Sequence, residues 1–230
     1  MGNASQENSP LDVLNDLFKV NPDELREILK KDPELGSLFA SQHKKALGQL
    51  TVTEAHLQVL LPQFLGSVSP NSTFYCIGSG AGSELPFARL FVPDGRIVAI
   101  DPTPDLAMQQ LSVLFEIISR AEFHPFDLSM MQPEEVINKV GSEPDVVLCR
   151  HPSLVINPFW REHLALWGVY MRDRGGKLLV TTYSEMERVW IAESMQGVGL
   201  APRLDTFQAS LFSLPWHDKY ESDKFVAVLG

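Results

Sequence analysis

From residue 71 onward the chain alternates short apolar runs with stretches whose apolar residues recur every three or four positions. The runs FYCI, IVAI, VVLC and KLLVTT are rich in the β-branched and aromatic side chains that suit strands. Such an alternation is the signature of crossover units feeding a parallel sheet. It predicts strands at residues 73–77, 96–100, 122–126, 145–150 and 177–182. Helix starts fall between them: Thr103-Pro104 and Asn157-Pro158 each set a capping residue before a proline, and Ser184 with Glu187 spells a capping box. Gly175-Gly176 ends the helix that begins at Pro158. Two further strand-like runs, 204–212 and 225–229, are joined by SLPWHDKYESDK, which lacks helical periodicity. A parallel crossover normally needs a helix, so the last strand is predicted to be antiparallel.

Residues 10–64 read differently, as helices punctuated by prolines: LDVLNDLF, PDELREILKK, SLFASQHKKALGQL and TEAHLQVLLPQF. Leu25, Ile28 and Leu29 keep helical spacing, and Thr53 offers a cap to the last segment. The chain therefore divides into a helical extension, 1–66, and an α/β domain, 67–230. The extension either covers one edge of the domain or closes over a substrate as a lid.

Composition narrows the function classes. At 230 residues and 44% hydrophobic the chain buries a full core without staples. Its two cysteines, Cys76 and Cys149, fall in predicted interior strands and read as buried thiols of a reducing compartment. No apolar run has the length of a membrane span and the N-terminus is polar, which points to a cytoplasmic protein with no membrane partner. A formal charge of −10, with basic clusters no longer than Lys30-Lys31 and Lys44-Lys45, argues against nucleic acid. A small-molecule substrate is expected, and a homodimer stays open.

The stretch CIGSGAGS, residues 76–83, follows a predicted strand and precedes a predicted helix, an arrangement that sets backbone N–H groups and a helix end against a ligand. The dinucleotide fingerprint wants glycines at first, third and sixth positions; here Gly78, Gly80 and Gly82 stand first, third and fifth, and Ser83 is sixth. Asp101 follows VAI at the end of the second strand, where a carboxylate can take both hydroxyls of an adenosine ribose. NAD and S-adenosyl ligands share that feature, and the antiparallel end of the sheet separates them in favour of the latter.

On FYCIGSGAG, IVAIDPTP, EFHPFDLS, PDVVLCRHP and the terminal strand pair, the chain from about residue 66 to 230 resembles the class I S-adenosylmethionine-dependent methyltransferases. The resemblance implies a doubly wound, seven-stranded, mostly parallel sheet with an antiparallel last strand, and S-adenosylmethionine as cofactor. It also implies that Gly78, Ser79, Gly80 and Gly82 pass beneath the cofactor's amino-acid moiety, that Asp101 with Pro102 holds the ribose, and that Phe126 and Asp127 flank the adenine. Two departures stand out: Cys76 occupies a position often acidic in the family, and Cys149-Arg150-His151-Pro152 replaces an Asp or Asn followed by two prolines.

The protein's share of methyl transfer is mostly alignment in a dry pocket. His151 is a candidate to take a proton from the acceptor, and Arg150 to hold a substrate carboxylate, unless it pairs with an acidic neighbour. Tyr183 is a candidate pocket residue. His124 lies inside a strand, and Trp160, His163, Leu164, Trp167 and Met171 recur at core spacing. No His, Cys and Asp grouping has metal-ligand spacing. The leading expectation is methylation of an oxygen or nitrogen of a small molecule. The alternatives are aminocarboxypropyl transfer as in nicotianamine synthase-like enzymes, a non-catalytic binding module on the same fold, and NAD-linked oxidoreduction.

Overall fold

In the computed structural model, residues 56–80, 82–102, 119–207 and 223–230 are described, together with Glu27, Lys31 and Asp32. Seven strands form one sheet: β1 (Phe74–Ile77), β2 (Ile97–Ile100), β3 (Glu122–His124), β4 (Val146–Arg150), β5 (Lys177–Thr182), β6 (Arg203–Thr206) and β7 (Phe225–Leu229). Their order is β3-β2-β1-β4-β5-β7-β6. β1 pairs in parallel with both β2 and β4, whereas β7 runs antiparallel to β5 and β6. This is the α/β sheet with a reversed last strand that the sequence predicts.

Strand alternation divides the core in two. Phe74 and Cys76 of β1 point into a layer with α1 (Leu57–Leu65) and α2 (Leu85–Phe91). Tyr75 and Ile77 point the other way, toward α3 (Pro133–Val140), α4 (Trp160–Arg174) and α5 (Glu185–Gly197). All four β1 side chains are buried, as a central strand covered on both faces requires. Each such apolar side chain contributes about 1.5–3 kcal/mol relative to exposure. Among the described residues no helix is long and apolar enough to cross a membrane.

Several local expectations shift. β3 stops at His124, because the Phe126 N–H turns back to the His124 carbonyl. The segment starting at Asn157-Pro158 opens with a tight turn, the Trp160 N–H bonding to the Asn157 carbonyl three residues back, so α4 proper starts two residues later than read. Gly175 closes α4 in the left-handed region at φ +69°. Ser184 caps α5 through the Glu187 N–H, but the box is left half-made because the Glu187 carboxylate accepts the Leu154 N–H. A reciprocal box unread in the sequence, Gln132 with Glu135, starts α3. Apart from α1 and the isolated Glu27 and Lys31, the predicted N-terminal helices, the Thr53 cap, the Thr103-Pro104 start and residues 208–212 of the sixth strand lie outside the described residues.

Chain order departs from β1 in both directions, through β2 to β3 on one side and into β4 on the other. The C-terminal ends of β1 and β4 therefore flank a topological switch point, where open α/β sheets leave a crevice.

Candidate functional site at the switch point

A cleft of about 440 Å³ opens there, lined by groups from five neighbouring segments. Gly78 comes from the end of β1, Asp101 and Pro102 from the end of β2, and Asp127 to Ser129 from the turn after β3. His151, Pro152 and Ser153 follow β4, and Asn157, Phe159 and Trp160 lead into α4.

Gly78, Gly80 and Gly82 all adopt positive φ, at 64°, 54° and 78°. At Gly78 a second constraint is added, since a Cβ would lie 2.9 Å from the Trp160 ring. Part of what approaches this glycine is thus the protein's own indole: Trp160 is a core residue, as its spacing suggests, and also a cleft wall, which its spacing does not show. The Gly80 N–H donates to Asp101 Oδ2 at 2.9 Å, tying the loop to the end of β2. Ser79 is buried, and its hydroxyl has no hydrogen-bond partner among the described residues.

Asp127 is exposed and caps the short 3-10 helix Leu128–Met130, Oδ1 accepting from the Ser129 N–H at 3.0 Å and the Ser129 hydroxyl at 2.6 Å. The Phe126 ring does not line the cleft; it packs against His124 and beneath Lys139 Nζ. Three predicted cofactor residues from the strand ends on one side of β1, Asp101, Pro102 and Asp127, are thus brought to the same cleft as Gly78.

Behind the β4 side lies a buried ionic cluster centred on Asp223, whose side chain is wholly inaccessible. Arg150 donates to both of its oxygens, Nε to Oδ1 at 3.1 Å and Nη2 to Oδ2 at 2.5 Å. Thr181 Oγ1 donates to Oδ1 at 2.5 Å, His151 Nε2 lies 2.9 Å from Oδ1, and His56 Nε2 lies 2.6 Å from Oδ2. Burial pushes the Asp223 carboxyl up, and the Arg150 guanidinium with the bonds from His151 and His56 more than reverses this, so it sits well below the usual carboxylate range. Glu84, also buried, lies 3.7 Å from Arg150 Nη1. Of the two readings the sequence allows for Arg150, the structure brings it to acidic neighbours within the chain.

His151 sits at φ +50°, its ring 4.5 Å from that of Tyr183. His163 is buried in α4, accepts the Trp167 indole N–H at 2.9 Å, and is pushed down by burial to about 4. Cys76 and Cys149 are buried free thiols, and burial raises both well above the ordinary range. No metal-holding group of His, Cys, Asp or Glu occurs among the described residues. Sequence reasoning missed Asp223, His56, Thr181 and Glu84. The one local hint for Asp223 was an aperiodic segment ending at the last strand.

No family model matches the chain, and no curated protein matches it. Solved structures similar to it include an O-methyltransferase family protein from Burkholderia thailandensis, at 15% identity and TM-score 0.48, covering 95% of this chain and 70% of that one. Precorrin-6y C5,15-methyltransferase from Geobacter metallireducens matches at 15% identity and TM-score 0.47, covering 65% of this chain and 73% of that one. TrmN from Thermus thermophilus matches at 14% identity and TM-score 0.48, covering 75% and 47%. The strand order and the single reversed strand are those of the doubly wound, Rossmann-like α/β sheet that the sequence resemblance implies.

Proposed function

We propose that the chain is an S-adenosylmethionine-dependent methyltransferase acting on an oxygen or nitrogen of a small molecule. The observation that carries this reading is the convergence of Gly78, Asp101 and Asp127, from three adjacent strand ends, on one cleft at the switch point. Its volume of about 440 Å³ is that of a small-molecule site.

The residues present fit the cofactor. Asp101 lines the cleft, and an ionised carboxylate, with about four lone-pair sites, can accept from more than one donor. The buried Ser79 hydroxyl beside the glycines, without a partner among the described residues, is a polar group that a ligand could satisfy. Asp101 would hold the ribose, Asp127 the adenine amine, and the glycine loop with Ser79 the amino-acid end. When bound, the cofactor supplies a methyl group on a good leaving group. The chain's own residues then orient the acceptor and exclude water, with Phe159 and Trp160 forming an apolar wall.

One observation favours a second reading. Cys76, where the family is often acidic, is a buried thiol held protonated, so the methionine end loses an anionic contact and aminocarboxypropyl transfer becomes the rival. Calorimetric titration with S-adenosylmethionine, S-adenosylhomocysteine and NAD tests the main proposal. Micromolar binding of the two adenosyl ligands alone is expected, and silence from both sinks it. Product analysis separates the transfers: S-adenosylhomocysteine marks methyl transfer and methylthioadenosine marks the other.

A further inference from the structure

We propose that His151 and Asp223 form an acid–base pair serving the cleft, with His151 as proton acceptor and Asp223 as the residue that positions it. The proposal deepens the methyltransferase reading and rests on it for the identity of the acceptor. Two observations meet here. His151 lines the cleft while its Nε2 lies 2.9 Å from Asp223 Oδ1. Asp223 is in turn immobilised by Arg150, Thr181 and His56, so the oxygen that meets His151 is fixed from several elements.

The chemistry follows from hydrogen-bond roles. An ionised carboxylate only accepts, so Nε2 of His151 must carry the hydrogen and Nδ1 of the neutral ring holds the lone pair. The ring is kept in place on its face by Tyr183. The left-handed backbone at φ +50° is a strained choice for a non-glycine residue, and such strain gathers where a side chain has to be aimed. In the proton transfer, the O–H or N–H bond of the acceptor breaks with its electron pair staying on oxygen or nitrogen, and an N–H bond forms at His151 Nδ1. The imidazolium that results faces the Asp223 carboxylate, which stabilises its charge without itself taking the proton. The acceptor class is thereby narrowed to groups that lose a proton on methylation, such as alcohols, phenols and ammonium-derived amines. Asp101 and Asp127 in the same cleft disfavour an anionic acceptor.

The test needs neither cofactor nor acceptor, so its outcome is distinguishable from that of the calorimetry. Imidazole nitrogen-15 NMR of the full chain, assigned with His151→Gln, reads the tautomer, and diethylpyrocarbonate labelling with peptide mass spectrometry reads how fast each histidine reacts. His151 is expected with its proton on Nε2. It is also expected to be carbethoxylated about tenfold or more faster than His163, whose Nε2 already accepts the Trp167 N–H in the core. A proton on Nδ1, or a His151 no more reactive than His163, overturns the pair. In Asp223→Asn the proton should distribute over both nitrogens of His151; an unchanged tautomer overturns the positioning role. Both wild-type measurements stand even if that variant does not fold.

Discussion

Asp101 and Asp127 stand at the ends of β2 and β3 and bond to backbone and side chain within their own turns or the adjoining loop. Asp223 stands at the start of β7, wholly buried, and bonds to four side chains from three separate segments. The same residue type thus serves two purposes on one sheet edge. Where water reaches the carboxylate, a ligand can reach it too; where water is excluded, it becomes an anchor whose removal leaves positive and polar groups stranded.

The largest effect that tests this contrast is Asp223→Ala. It leaves the Arg150 guanidinium buried without its bidentate partner, and a loss of about 3–5 kcal/mol in urea unfolding is expected. A loss below 1 kcal/mol, of the size expected at an exposed ion pair, would break the comparison.

A buried ionisable group without such partners supplies the control. His163 is held neutral down to about 4, while an unfolded histidine titrates near 6.5. Between those values the unfolded chain binds more protons than the folded one, so stability falls as pH drops through the window. This single group should cost about 3 kcal/mol by pH 4. His124, also pushed down chiefly by burial, adds to the same slope. His163→Gln, which keeps an acceptor for the Trp167 indole, should flatten most of it in unfolding curves taken across that range; an unaltered slope would assign it elsewhere.

Gly78→Ala comes next, at about 1–2 kcal/mol from the left-handed backbone, with the Trp160 contact added. Combining it with Trp160→Leu should relieve the contact and leave the backbone cost, a separation that a double-mutant cycle reads. Smallest in free energy is Asp101→Ala: about a tenfold weaker affinity for S-adenosylmethionine, roughly 1.4 kcal/mol, in a protein that still folds. An unchanged affinity would remove Asp101 from the site.

The cleft side of this contrast was readable in the sequence and the anchor side was not, for a physical reason. Strand, glycine loop and strand-end aspartate are local patterns: FYCIGSG and IVAID each carry their meaning within a few residues, because backbone conformation is decided at short range. Asp223 meets His56, Arg150, His151 and Thr181 at separations of 167, 73, 72 and 42 residues. Only the sheet order, with β7 inserted beside β5, brings the end of the chain to the residues after β4. The ambiguity of Arg150 had the same origin, since its neighbours are set by topology. Trp160 failed to stand out because core spacing and a place on a cleft wall are the same pattern on a helix that borders both.

The shared dependence on Asp223 also bears on descent. Positions 56, 150, 151, 181 and 223 form a set in which a change at one alters what is tolerable at the others, so relatives should keep or lose Arg150 and Asp223 together. A lineage that gives up the pair has an accessible route through two apolar side chains of similar volume, which often match or exceed the stability of a buried ion pair. In such a lineage the fold would persist while the histidine beside the cleft lost its orientation, and the divergence would be visible as correlated substitution at sites far apart in sequence.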